Sequence, residues 1–341
     1  MTSRAASRAV MATRTAVSRA LVDLREEARV LVACSGGPDS LALVAAAAWV
    51  SDRAGLLARA VVIDHGLQAD SATVAAAAAT ASEALGMPAD VRRVEVSGSG
   101  GPEAAARKAR YTALEEGAGE TGAAAVLLGH TREDQAETVL LRLTRGAGAR
   151  SLAAMSARSG LWRRPFLDLP RSVVRAAADD VLGPLGLRPW ADPHNEDPAF
   201  ARVRARALLD GLTAELGDSV VLGLSRSAAL LREDADALEE QAIQAYRRLV
   251  TVEPDGWTAS CDELAALPAA VRTRVIRSMA QAAGAPGEDL DFDHVQRVRD
   301  FVDRWHGQGE ASLPGGVRAE RVCGRLWLRS PSPENGVAGG S

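Results

Sequence analysis

The hexapeptide Ser35-Gly36-Gly37-Pro38-Asp39-Ser40 joins an apolar, strand-like run, "RVLVAC", to an alanine-rich stretch with helical character. At a helix start the first backbone N–H groups lack intrahelical partners, and the aligned peptide dipoles favour negative charge. Gly36 and Gly37 allow a tight bend and leave room where a Cβ would stand. Pro38 suits a first helical turn because it has no N–H to lose. Ser35 and Ser40 add hydroxyls, so the segment reads as a phosphate cradle. It matches neither G-x-x-x-x-G-K-S/T nor G-x-G-x-x-G. Asp39 beside a phosphate requires an intervening cation, and Mg²⁺, commonly held by one or two carboxylates together with substrate phosphates, meets that need.

Two further groups could do chemistry. Arg107 and Arg110 share a helix face at i, i+3, with Lys108 beside them. His130 ends a strand-like run, and Glu133, Asp134 and Glu137 follow in the first turns of a helix. Carboxylates there complement the helix dipole. Three within five residues exceed that need, and their spacing gathers them into one anionic pocket able to hold Mg²⁺ or take a proton. Arg142, Arg145, Arg150, Arg163 and Arg164, with Arg202, Arg204 and Arg206, make a basic stretch suited to a nucleic-acid backbone.

The elements that must position these groups follow from the alternation of short apolar runs with long helical ones. "RVLVAC" precedes a helix over 40–50, "ARAVVID" one near 69–85, "DVRRVEV" one near 102–116, and "AAAVLLGH" one over 132–144. Such alternation predicts an α/β fold, a doubly wound parallel sheet with helices on both faces. Ligands then bind beyond the carboxyl ends of the strands, at the loops starting at Ser35, Asp64, Ser97 and His130. After about Arg150 the pattern gives way to long loops framing a helix. A polar helix over about 220–250 follows as a connector. Next come helices near 264–283 and 293–305, with strand-like "ASLPGG", "VRAERV" and "RLWLRS". The predicted organisation is an N-terminal helix in 1–28, a catalytic domain in 29–215, a helical linker in 216–250, a smaller α+β domain in 251–330 and a disordered tail in 331–341. The opening "MTSRAASRAVMATRTAVSRA" has the composition of a transit peptide, but it reads better as an amphipathic helix continuing through "LVDLREEA".

Composition limits the partners. With 47% hydrophobic and 25% charged residues the 341-residue chain is that of an ordinary soluble protein. It has no apolar run approaching the roughly 18 residues of a membrane span. A net charge of −4 gives no global nucleic-acid signature, so any RNA contact must be local. Lys108 is the single lysine, which reflects a bias toward Arg and Ala and lowers the weight of arginine counts. Cys34, Cys261 and Cys323 are isolated, which fits a reducing cytoplasm and indicates neither a disulfide framework nor a thiolate metal site.

S-G-G-x-D-S after a first strand resembles the pyrophosphate loop of the ATP pyrophosphatases, the PP-loop enzymes of adenine nucleotide alpha hydrolase-like fold. "VVIDHGLQADS", "PEAAARKARYTAL", "GHTREDQAETVLLRLTRGAG" and "WADPHNEDPAFARVRARALL" are similar, in order, to motifs of the tRNA(Ile)-lysidine synthetase family. The resemblance implies adenylation of C2 of the wobble cytidine of a CAU-anticodon tRNA(Ile) by ATP, then attack by the ε-amine of L-lysine, releasing AMP and pyrophosphate. It implies ATP contacts at Ser35, Gly36, Gly37, Pro38, Asp39, Ser40, Asp64, His65 and Gly129, and Mg²⁺ at Asp39 and Asp134. It assigns catalysis to Asp39, Arg110, His130, Asp134 and Glu137, leaving open whether the carboxylates hold metal, bind the lysine ammonium or accept a proton. It places tRNA on Arg145, Arg150, Arg164, Asn195, Arg202 and Arg206 and on the C-terminal domain, in a monomer or homodimer. The chain departs from the family's pattern at Thr131, Glu133, His194 and Val203. Another adenylating PP-loop enzyme, acting on tRNA or a small molecule, is the alternative. The missing cysteine pair disfavours a thiolase, and the missing N-terminal nucleophilic cysteine disfavours an amidotransferase. Asp39, Arg110 and Asp134 together disfavour a nucleotide-binding module without turnover.

Overall fold

A computed structural model describes residues 6–66, 70–96, 102–146, 148–193 and 197–330. Ser97, His194, Asn195 and the 331–341 tail lie outside the described residues. The chain divides into two units, Met1–Leu231 and Arg232–Ser341.

The first unit opens with α1 (Arg8–Leu21), β1 (Arg29–Cys34) and α2 (Pro38–Ala54), followed by β2 (Leu57–Asp64), α3 (Ser71–Ala84), β3 (Ala89–Arg93) and α4 (Pro102–Thr121). It continues through β4 (Ala125–Leu127), α5 (Arg132–Leu143), a single turn α6 (Ala149–Leu152), the short strands β5 (Arg158–Ser159) and β6 (Trp162–Arg163), α7 (Arg171–Leu182) and α8 (Ala201–Leu216). The sheet order is β3-β2-β1-β4-β6-β5, and only the β5–β6 pair is antiparallel. β1 is apolar throughout its centre because both of its faces are covered. Val30 and Val32 pack with Leu41, Leu43, Val44 and Val174 on one face. Leu31 packs with Leu114 and Ala118 of α4 on the other. Parallel pairing of β1 with β2 and β4 puts the loops after Cys34, Asp64 and Leu127 at one edge of the sheet, as a doubly wound fold requires.

Two expectations for this unit are corrected. The first helix stops at Leu21 instead of running through "LVDLREEA". Arg163 holds Asp23 outside the helix with a second contact at 3.1 Å, donates to the Ala20 carbonyl, and Arg158 adds an ion pair to Asp23 at 2.9 Å. The stretch after Arg150 is not loop alone, since β5 and β6 extend the sheet. Arg163, expected on a basic surface, is a residue of β6 and is buried.

The 31-residue helix α9 (Ser219–Leu249) spans the expected linker, and the division between units falls inside it. The second unit adds β7 (Thr251–Glu253), β8 (Gly256–Ser260), α10 (Cys261–Ala265), α11 (Ala269–Ala282), α12 (Phe292–Asp303), β9 (Ala311–Ser312), β10 (Arg318–Val322) and β11 (Arg325–Arg329). Its sheet runs β7-β8-β11-β10-β9, and the pairs are antiparallel. Ala259, Ala319, Leu326 and Leu328 cluster with Ile276 and Met279 of α11 and Phe301 of α12. This is the predicted α+β domain, with one helix of the reading broken in two. Pro268 disfavours helical backbone at Leu267, so α10 ends and α11 starts afresh.

Candidate active site

The cradle has the shape its residues dictate. Gly36 adopts φ +79°, and its carbonyl accepts the Trp190 N–H at 2.9 Å. A Cβ there would stand 3.1 Å from the Cβ of Ala78. We expect Gly36→Ala to lower the melting free energy by about 1–2 kcal/mol and to weaken ATP binding, from left-handed strain and that close contact; thermal melts and nucleotide titration measure both. Ser40 departs from the reading. Its hydroxyl donates to the Gly37 carbonyl at 2.9 Å and accepts from Ser35 N at 3.2 Å, so it fixes the loop from inside instead of reaching a ligand. Pro38 opens α2, which leaves the Asp39 and Ser40 amides in the first turn. Gly129 has a packing reason, because a Cβ there would lie 3.2 Å from the Asp39 carbonyl. That close approach brings the chain after β4 against the start of α2.

An acidic cluster forms where α5, α7 and α8 meet the cradle. Thr131 precedes α5, and its N–H and hydroxyl donate to Asp134 Oδ2 at 2.7 and 2.9 Å. Asp134 Oδ1 accepts from Arg171 at 2.9 Å. Glu137 is 2% exposed and accepts from Arg171 at 3.2 Å and from Arg206 Nε at 3.0 Å. Glu133 accepts the Arg171 backbone N–H at 2.8 Å. Burial would raise the Asp134 carboxyl, but Arg171, His130 and Thr131 together hold it below the usual carboxylate range. Asp39 goes the other way. Burial pushes it up to about 6, with Arg171 and Arg175 opposing and Asp134 and Glu133 adding to the rise.

A cationic cluster lies on the other side. Arg107 donates to the Tyr111 hydroxyl at 3.2 Å, and the guanidiniums of Arg107 and Arg110 stand 4.9 and 5.5 Å from the Tyr111 ring. That ring in turn packs on Trp162 at 4.8 Å. Burial, together with the charges of Arg202, Arg110 and Arg164, lowers Arg107 to about 10 against the pull of Tyr111. The Nε atoms of Arg110 and Arg164 are buried without a protein partner. A group of like charges so placed calls for an anion. His130 sits between the clusters, 9% exposed, with Nδ1 unpartnered. Burial, aided by Arg110, Arg164 and Arg202, pushes it well below the usual histidine range against the pull of Asp134, so it is a neutral imidazole. At the end of β2, Asp64 Oδ1 accepts the Gly66 N–H at 3.0 Å, which holds that carboxyl low. His65 Nδ1 is buried and has no partner among the described residues, its pKa lowered by burial and by Arg110.

Asp39, Arg110, His130, Asp134 and Glu137 are thus brought together, with the cradle and His65 around them. Three readings change. Arg164 is 9% exposed and donates to the Ser156 carbonyl at 2.8 Å, so it belongs to the cationic cluster and not to an outer surface. Arg206 serves Glu137. Both Asp134 oxygens are engaged by Thr131 and Arg171, which leaves Asp39, whose Oδ1 is buried and unpartnered, as the carboxylate that fits a Mg²⁺ ion. Among the described residues no group of three or more His, Cys, Asp or Glu could hold a metal alone. Arg171 escaped the reading altogether, because nothing in "DLPRSVV" shows that the start of α7 abuts α5.

A parallel sheet with this loop at the first strand's end defines a class, and residues 10–211 match the PP-loop domain family. The fold is also that of a U34-tRNA thiolase, NcsA, from Methanococcus maripaludis, with a TM-score of 0.55 and 18% identity over 66% of this chain and 80% of that one. Residues 260–327 match the TilS substrate binding domain. The tRNA(Ile)-lysidine synthase of Thermobifida fusca is 51% identical over 92% of this chain and 95% of its own length. That of Salinispora tropica is 51% identical over 95% and 98%. The chain belongs to the tRNA(Ile)-lysidine synthase family.

Proposed function

We propose that the chain adenylates the wobble cytidine of a CAU-anticodon tRNA(Ile) and converts it to lysidine with free L-lysine. Membership in the family makes it an ATP-using, C–N bond-forming ligase that modifies tRNA. The observation that carries the finer reading is the pairing of a cationic cluster, in which the Nε atoms of Arg110 and Arg164 are buried without a partner among the described residues, with an acidic one across a neutral histidine, all beside the cradle.

In the first half-reaction the C2 oxygen of cytidine attacks the α-phosphorus of ATP, and the bond to the β-phosphate oxygen breaks. The cradle amides, Arg107 and Arg110 stabilise the charge on the departing pyrophosphate. Mg²⁺, which Asp39 would hold with the phosphates, neutralises negative charge there when bound. In the second half-reaction the ε-amine attacks C2, the C2–oxygen bond breaks, and AMP leaves with that oxygen. The net negative charge of the acidic cluster draws the substrate's ammonium, and neutral His130 is placed to accept the proton the amine gives up. The second unit, which contains the substrate-binding match, grips the tRNA.

The test is incubation of unmodified tRNA(Ile) transcript with ATP, Mg²⁺ and labelled lysine, followed by nucleoside digestion. Labelled lysidine at the wobble position with AMP and pyrophosphate is expected, whereas ADP and orthophosphate would contradict the reading. Arg145 and Arg150 are both exposed, as a role at the RNA backbone needs. Replacing both with Ala should weaken tRNA binding and reduce the slope of log K against log salt by about 1–2, each phosphate contact contributing just under one. An unchanged slope in a filter-binding series excludes those contacts. Among the described residues no helix is long and apolar enough to cross a membrane.

A further inference from the structure

Each side chain of the acidic cluster converges on one residue that the motifs do not include. The Arg171 guanidinium contacts Asp134 at 2.9 Å and Glu137 at 3.2 Å and lies 3.9 Å from Asp39. Its backbone N–H binds Glu133 at 2.8 Å. Asp39 lies at the start of α2 and the others in the first turns of α5; backbone packing at Gly129 sets the two helix starts side by side, which leaves the mutual repulsion of the carboxylates to be offset. We propose that Arg171 is a positioning residue, a built-in counter-cation that gathers Asp39, Asp134 and Glu137 into one site before any substrate cation arrives. This rests on the reading of the site as a lysidine-forming centre.

Charge and shape both support the role. Asp39, Glu133, Asp134 and Glu137 face two guanidiniums within 4 Å, Arg171 and Arg206, a balance of −2 when all are ionised, with Arg175 acting on Asp39 from farther off. That balance suits one divalent ion, or a single ammonium with charge to spare. Without Arg171 it would be −3. The planar fork lets one terminal nitrogen serve Asp134 and Glu137 while Nε faces Asp39, which a compact ammonium cannot do at once. The main chain here is held independently of the side chain, because Arg132 N donates to the Leu169 carbonyl at 3.0 Å and Arg171 N donates to Glu133. Truncating the side chain therefore leaves the docking of α7 in place.

The experiment compares wild type, Arg171→Ala and Arg171→Gln for lysidine formation, with thermal melts and with added guanidinium chloride at low millimolar concentration. The wild type run alongside checks the activity itself, so failure of the functional reading shows as a wild type without lysidine. The expected result is a fall of about 100-fold in kcat for both variants, the scale of an ångström-sized misplacement. The KM for lysine should rise, the KM for ATP should stay within about threefold, and guanidinium should restore at least about tenfold in Arg171→Ala but not in wild type. Wild-type kinetics in either variant, or a loss in a folded Arg171→Ala that guanidinium does not relieve, overturns the proposal. Should Arg171→Ala fail to fold, Arg171→Gln decides the question by the same lysine-against-ATP split, and equal changes in the two KM values count against it.

Discussion

Asp39→Asn is expected to reduce tRNA-dependent pyrophosphate release by about a thousandfold or more while making the free protein more stable. The loss follows from position. Asp39 opens α2 beside the cradle, and its Oδ1 is the buried carboxylate oxygen without a protein partner in the acidic cluster. Asparagine keeps the shape but offers no charge to a metal beside phosphates, and removing such a charge weakens transition-state stabilisation by several kcal/mol. The gain follows from linkage. Burial raises this carboxyl from 3.8 to about 6 in the folded chain. A group raised on folding favours the folded state fully below its unfolded value, and that advantage is lost as pH rises through the folded value. Above about pH 6 the wild type therefore carries a destabilising ionised group, and the asparagine variant should exceed it by about 3 kcal/mol. The advantage should shrink between pH 6 and 4 and vanish below. Melting curves at pH 8 and pH 4 measure this, and an equal difference at both would rule out the proton as its source. Mg²⁺ affinity of the wild type should likewise fall as pH drops below about 6, because the metal competes with the proton.

The second large effect is expected at Arg110. Arg110→Met should reduce adenylation by about 10²–10³-fold, the range for removing one preorganised charge partner of a developing anion. Melting should change little, since the methionine chain retains most of the packing of the arginine stem. The Arg110 Nε is buried without a partner, and the nearby Arg202 and Arg164 charges disfavour its guanidinium further. A structural arginine would have a carboxylate or carbonyls; among the described residues this one faces a phenol and its own kind. Binding of ATP should weaken by a larger factor than binding of adenosine, which carries no phosphates. Equal weakening of the two would place Arg110 on the nucleoside rather than on the phosphates.

Much of the fold was legible because its signals are local. β1 is apolar on both sides because it is covered on both sides, and the cradle, Pro38 and the helix after it lie within a few residues of one another. The loops of the first, second and fourth strands were read as one ligand edge because parallel pairing forces it. Short strands were harder. β5 and β6 have two residues each, too few for any periodicity, and they exist because Val126 and Leu127 offer an edge for Trp162 and Arg163. β7 went unread for the same reason: three exposed residues have no apolar alternation to show.

The sequence alone determined the class of chemistry here: a phosphate cradle ending in a carboxylate, followed by an arginine pair and an acidic helix start, each written within one turn of chain. Tertiary structure alone decided which charges meet. Arg164 and Arg206, both read as surface cations, turn inward to the cationic cluster and to Glu137. Arg171, read as nothing, joins three carboxylates from two distant stretches. The physical reason is range. Turn geometry and helix starts depend on neighbours along the chain, whereas the partner of a long, flexible guanidinium is whichever anion the packing of α5, α7 and α8 brings within about 4 Å, and no spacing in the sequence encodes that.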